Sequence, residues 1–504
     1  MLKDIILNEF KGMNRLSSRL NMPKEYAWDI SNGYIKKDSG SGLSSIVQRG
    51  GIAKFNTVTF TNACKYVFEA KWNAGGTDII IREGTRWAKF DGTDTFDNLD
   101  TGRTDGVRGK AVMFANEMIM TDGGTPRKCT AGYVVSDLSA DASMPTDSTS
   151  CHVHDHKVWL NSTANPMKAY YSKSDSANAA DSWSAADDAG YLDFSHILPN
   201  GDTLLGFDTF GENFLIFKFT KFVVVYVAGT DPTAFAIQQI IPLNCVSDHG
   251  VKQVGNDLAV TSLEGINSFR SSLTNQDLDL DDLSKHISPL YRELIAGVSD
   301  KKNISVEYSH SLNHLYIGLP TTDHTILVYS PEIKNFIGRW TGYKCYDFCE
   351  RIDGTMLVAG DGYIYTMNTG NQDDGEAISF SYDFPALYFK DGGYNCSVRQ
   401  LEGVVNHENS PTLGMSYGYI TSNLDDIKSP VSTSFISEGV EWDSDEAIWD
   451  EAAWAGSSAQ RFLNSNFVGR GKGFLLTLSN TVDTSTIEIQ YLILRYKREG
   501  IKIR

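Results

Sequence analysis

The run Cys151-His152-Val153-His154-Asp155-His156 holds the densest set of metal-type ligands in the 504-residue chain. Alternate residues of a β-strand share a face, so His152, His154 and His156 would project together with Asp155 behind them. Three imidazoles suit zinc or a similar ion. Residues two apart on a straight strand lie about 6.5–7 Å apart, too far for one strand to close three of them around one ion. The run is also one residue short of the HxHxDH pattern of metallo-β-lactamases. No metal and no cofactor are therefore expected.

Other candidate chemistry is equally spare. Tyr171 to Trp183 (YSKSDSANAADSW) has the residue types of the turns that brace sialidase propellers, but with the wrong spacing and without the glycine. It reads as a strand that leaves into a polar loop closed by a buried tryptophan. Gly469-Arg470-Gly471-Lys472-Gly473 precedes the strand-like FLLTL, whereas a phosphate-cradling loop opens a helix, so it reads as the start of a hairpin. GxSxG, GxxxxGK[ST], HExxH and a strand–GxGxxG–helix are all absent. Paired carboxylates for glycoside hydrolysis cannot be singled out among 63 acids, because that chemistry depends on a separation in space. The expectation is a protein that works by shape and surface, not an enzyme.

The elements that would position these residues are strands. Short β-branched and aromatic runs bounded by Gly, Asp and Asn recur throughout, as in TDIIIREG, KAVMFANEMIMTDGG, FLIFKFTKFVVVYVAG and GTMLVAGDGYIYTMN. A chain of this length exceeds what one compact core usually serves, and 41% hydrophobic with 11% aromatic residues is ample material for large cores. The one helix candidate runs from Asp277 to Ala296, with Ile287, Leu290, Tyr291 and Leu294 on one face, and reads as an insertion between β units. No run approaches the roughly 18–20 apolar residues of a membrane span, and the start lacks a secretory signal. Seven scattered cysteines without a CxxC pair suggest neither disulfides nor structural zinc, which fits maturation in a reducing cytoplasm.

The fold class expected is all-β: a degenerate β-propeller followed by a C-terminal antiparallel β-sandwich, with two β-sandwiches as the rival. Residues 1–50 would form an N-terminal docking arm, 51–376 the propeller and 377–504 the sandwich. Within the last part, Trp442, Trp449 and Trp454 sit in the acidic segment VEWDSDEAIWDEAAWAG, a candidate partner-docking patch or a loop pinned into its own domain. The formal charge is −18, yet the chain ends in RYKREGIKIR. Arg495, Lys497, Arg498, Lys502 and Arg504 are therefore candidates for a subunit contact, or else protect an edge strand.

The opening of the chain is similar to that of one known family. Phe10-Lys11-Gly12-Met13-Asn14, Leu20 to Ala27 (LNMPKEYA), Ile30 to Ile35 (ISNGYI) and Gln48-Arg49-Gly50-Gly51 resemble the start of tail hub or nozzle proteins of short-tailed bacteriophages, including packaged-DNA stabilisation proteins. The departures are Lys11, where a glycine is usual, and Ile30-Ser31 before the asparagine. AGTDPTAF, TSLEGINSF and AGDGYIYTMN look like degenerate propeller blades of such hubs, and WDEAAW with the Gly469 turn like their closing domain. The resemblance implies a virion tail protein assembled in the host cytoplasm, probably as a hexamer in the sense that six copies are usual in that family. It implies a ring below the portal and adaptor that retains and conducts double-stranded DNA, with docking sites for tail spikes, fibres or a needle. No catalytic residues carry over. Independently, a net acidic wall passes DNA without holding it, since binding needs many cation–phosphate contacts. The alternative is a carbohydrate-binding or carbohydrate-degrading propeller, suggested by the density of Trp and Tyr.

Overall fold

The computed structural model describes the chain except for residues 1, 39, 41, 180, 185–187, 199–200, 212–213, 228–230, 272–277, 391–393, 409–411, 422–430, 435–458, 465–466, 481–485 and 503–504. Trp442, Trp449, Trp454 and Arg504 lie outside the described residues.

Between residues 52 and 367 the strands fall into seven antiparallel sheets of four, at 64–100, 110–137, 151–193, 206–241, 251–282, 305–340 and 347–367. The seventh has three strands of its own and takes Ile52–Lys54 as its fourth, antiparallel to Ile364–Met367. The first strand of each sheet packs against the first strands of its neighbours, and the seventh meets the first. This closed ring is a seven-bladed β-propeller.

Each small sheet is apolar on both faces, so it is stable only when sandwiched between two others. Val67 and Ile79 of blade 1 pack with Leu357 and Ala359 of blade 7. Trp159 of blade 3 packs with Phe207, Phe217 and Val225 of blade 4, and Phe222 of blade 4 with Phe269 and Val260 of blade 5. A brace recurs where the chain enters a blade. Asp147 accepts Ser162 Oγ at 2.8 Å, Asp202 accepts Thr220 N at 3.0 Å, and Asn244 accepts Leu263 N at 3.0 Å.

The helix is shorter than its sequence pattern. It spans Ser288–Ala296 after a 3-10 turn at Lys285–Ile287, between blades 5 and 6. Leu278–Asp282 is instead the outer strand of blade 5, because it pairs with Ile266–Ser271 across a hairpin. Pairing with a preformed neighbour overrides a weak local preference.

The remaining strands form two sheets beside the propeller. One has the order Gly33–Lys37, Ser44–Gln48, Thr486–Lys502, Tyr394–Glu408, Ala459–Asn464, with Lys3–Leu7 also on the long strand. The other runs Phe380–Asp383, Gly473–Asn480, Thr412–Ile420, Val431–Ser434. Tyr419 of the second sheet donates its hydroxyl region to the first through a 3.0 Å bond with Val398 N as the donor. Leu413, Met415, Leu476, Leu492 and Leu494 share one core with Tyr316, Ile317 and Trp340 of blade 6. The sandwich and the propeller are therefore packed as one body.

Residues 1–50, expected as a docking arm, are built into this body. Asp29–Ser31 lies between blade 6 and the second sheet, parallel to Asn335–Trp340 and antiparallel to Phe380–Asp383. Phe10, Met13, Ala27, Ile30, Ile35 and Ile46 are buried in the shared core. A chain lacking residues 1–50 is thus expected to aggregate or lose its cooperative unfolding transition. A truncated protein that melts like the full chain in calorimetry would refute that.

Candidate functional site

The propeller axis is the first place to look, because the inner strands of all seven blades converge there. Three lysines or arginines near it are signalled in the sequence by charge placed against apolar runs: Arg108 and Lys110 before AVMF, and Lys218 inside FLIFKF. Such charges are buried only when paired. Lys110 Nζ lies 3.2 Å from Asp248, and Lys218 Nζ lies 3.1 Å from the same carboxylate and 3.4 Å from Asp208. His249 Nε2 is 3.1 Å from Gly109 O, and Arg108 pairs with Asp347 while donating to Ile304 O at 3.1 Å. Blades 2 and 5 face each other across the ring, so the Lys110–Asp248 and Gly109–His249 contacts cross the axis and close it as a throat.

The electrostatics follow from this pairing. Burial alone would raise the Asp248 carboxyl, but Lys110 and Lys218 outweigh it and hold the group well below the usual carboxylate range. At Asp347 burial wins over Arg108, and its pKa is raised. Burial pushes His152 down to about 3 and His249 well below the usual imidazole value. Below the throat, toward the far ends of the inner strands, an open funnel of about 710 Å³ is lined by Phe68, Met113, His152, Thr209, Lys252 and Glu307 among others. Lys252 and Glu307 pair across it at 2.6 Å.

The histidine run does not behave as one strand face. His152 and His154 belong to Cys151–His154, and both reach Thr209 Oγ1, at 2.6 and 3.1 Å. Asp155 and His156 form a tight turn, each with positive φ, which carries His156 out to an exposed contact with Asp175 at 2.9 Å. Among the described residues no three His, Cys, Asp or Glu side chains are grouped to hold a metal ion. All seven cysteines are free thiols. Trp183 is buried and donates Nε1 to Ala177 O at 2.9 Å.

The residues that resemble the tail-hub opening meet at a second place, the joint between propeller and sandwich. Arg49 is 1% exposed and is ion-paired with Asp373 through both terminal nitrogens. Its Nε donates to Asn32 Oδ1 at 3.0 Å and its Nη2 to Thr341 O at 2.9 Å. Asn32 in turn accepts Thr341 N at 2.8 Å and donates to Ser379 O at 3.0 Å. A Cβ on Gly51 would fall 1.9 Å from Gln372 O, and one on Gly33 2.5 Å from the Phe380 ring, so close backbone approach fixes both as glycine. Asn335 Nδ2 donates to Lys11 O at 2.8 Å.

The basic tail is partly engaged within the chain. Thr486–Lys502 is not an edge strand: it has Tyr394–Glu408 on one side and Lys3–Leu7 with Ile46 and Val47 on the other. Arg495 lies 2.6 Å from Glu402 and 3.6 Å from Asp4, and Arg498 stacks on Tyr394 at 3.2 Å. Lys497 is exposed, and Lys502 ends the strand opposite Tyr394.

No family model and no curated protein matches the chain. Its solved neighbours are β-propeller proteins. A streptogramin B lyase aligns with 11% identity and a TM-score of 0.43 over 64% of this chain and 98% of its own. The virginiamycin B lyase of Staphylococcus aureus gives 10% and 0.43, over 63% and 98%. The Pan2 WD40 domain of Neurospora crassa gives 11% and 0.38, over 64% and 97%. The likeness is one of fold. Among the described residues no helix is long and apolar enough to cross a membrane.

Proposed function

We propose that this chain is a structural virion protein of a phage tail, a hub or nozzle subunit that forms a ring, six copies in the family it resembles, below the portal and adaptor. In this reading it retains packaged DNA, conducts it on ejection and anchors spikes, fibres or a needle. The observation that carries it is the joint: Asn32, Gly33, Arg49 and Gly51, which belong to the opening that resembles tail hubs, lock propeller to sandwich. A rigid two-part body of this kind transmits load between neighbours in an assembly.

The closed throat bears on the path of DNA. A duplex whose major groove alone is about 12 Å wide does not pass an axis crossed by the Lys110–Asp248 pair. In the proposed ring the duplex therefore runs between copies, along the acidic outside of the chain. Co-sedimentation with a portal–adaptor complex from the same phage tests the reading. Stoichiometric binding is expected, whereas failure to bind combined with glycan binding in an array would favour the carbohydrate alternative.

A further inference from the structure

A second cavity, of about 300 Å³, lies on the other side of the throat, where the chain enters the inner strands. It meets the funnel at Asp248 and His249, which line both. Val107, Leu204 and Leu205 supply apolar wall, and Thr203, Asn303 and Lys302 supply polar wall.

The charges of this cavity are unequally satisfied. Asp248 is neutralised by Lys110 and Lys218, and Arg108 by Asp347. Asp300 has both oxygens occupied, by Lys302 N at 3.1 Å and Asn303 Nδ2 at 3.3 Å. Lys302 is exposed, and among the described residues its ammonium enters no ion pair. One unspent cation beside neutral donors and an apolar wall suits a ligand with an apolar body and a single negative end.

We infer that this pocket binds a small amphipathic carboxylate, its apolar part against Val107, Leu204 and Leu205 and its carboxylate on Lys302 with Thr203 and Asn303. The same chemistry is offered by a free organic acid and by the C-terminal residue of a partner chain. The site does not depend on the tail-hub reading, and its failure would leave that reading intact.

The test is a titration of the full chain, followed by NMR or calorimetry, with N-acetyl-leucine and with its uncharged amide. The acid is expected to bind saturably and about tenfold more tightly than the amide, the effect of one charged hydrogen bond. Lys302→Met should abolish that preference without moving the melting temperature, and Thr203→Val should weaken the acid alone. Equal binding of acid and amide, no saturable binding, or an undiminished preference in Lys302→Met would overturn the proposal. Glycyl-glycyl-leucine separates the sources: binding as tight as the acetylated residue supports a chain terminus, and its exclusion supports a free acid.

Discussion

Replacing Arg49 by methionine is expected to lower the unfolding free energy by about 3–5 kcal/mol, because it leaves the Asp373 carboxylate at the joint without its partner. The loss has two parts. Asp373 keeps a charge that is 10% exposed on its side chain, and Asn32 Oδ1 and Thr341 O lose a donor. Adding Asp373→Asn to Arg49→Met should recover a large share of the loss, since no unpaired charge then remains. Urea denaturation of the two variants and the wild type measures this directly. A double variant no more stable than Arg49→Met would mean that the hydrogen bonds, not the charge pair, hold the joint.

Acid should destabilise the protein well above the range where carboxylates titrate. Burial pushes His152 down to about 3 and His314 down to about 4, whereas unfolded histidine takes up its proton near 6.5. Between those values the unfolded chain binds more protons than the folded one, so stability falls as pH falls. At pH 5 each of the two costs about 2 kcal/mol relative to pH 7. Asp347 and Glu307, whose pKa values burial raises, act in the opposite sense. A comparison of variants isolates the imidazoles. Unfolding free energies from urea melts at pH 7 and pH 5 should differ less by about 2 kcal/mol in His314→Phe, whose ring would sit against Tyr34 and Tyr316. An unchanged pH dependence would show that His314 does not titrate as described.

The propeller was legible because each blade repeats apolar runs cut by Gly and Asn turns, a local signal that survives degeneracy. Tyr171 to Trp183 was legible for the same reason, as a strand and a loop with its tryptophan turned inward. The first fifty residues were not. Asp29–Ser31 is too short to show a period, and Ile30 and Ile46 pair with Tyr382 and Ile489, far along the chain. The Arg49 partnership spans 324 residues and leaves no trace in spacing. At Leu278–Asp282 a sequence compatible with helix became a strand because Ile266–Ser271 was there to pair with it. In the histidine run the alternation was right for His152 and His154, but the turn at Asp155 removed His156. The throat was hinted at only by lysines in apolar surroundings, since their carboxylate partners come from blades distant in sequence.

These points make the protein one rigid body whose centre is sealed by charge pairs. Its proposed role depends on how copies are arranged around that body. Single-particle imaging of the full chain on its portal and adaptor is the most direct test. The account predicts a closed ring with an axial opening wide enough for a duplex between copies, each propeller throat being shut. Particles that never join the portal, or DNA density running through a propeller axis, would contradict it.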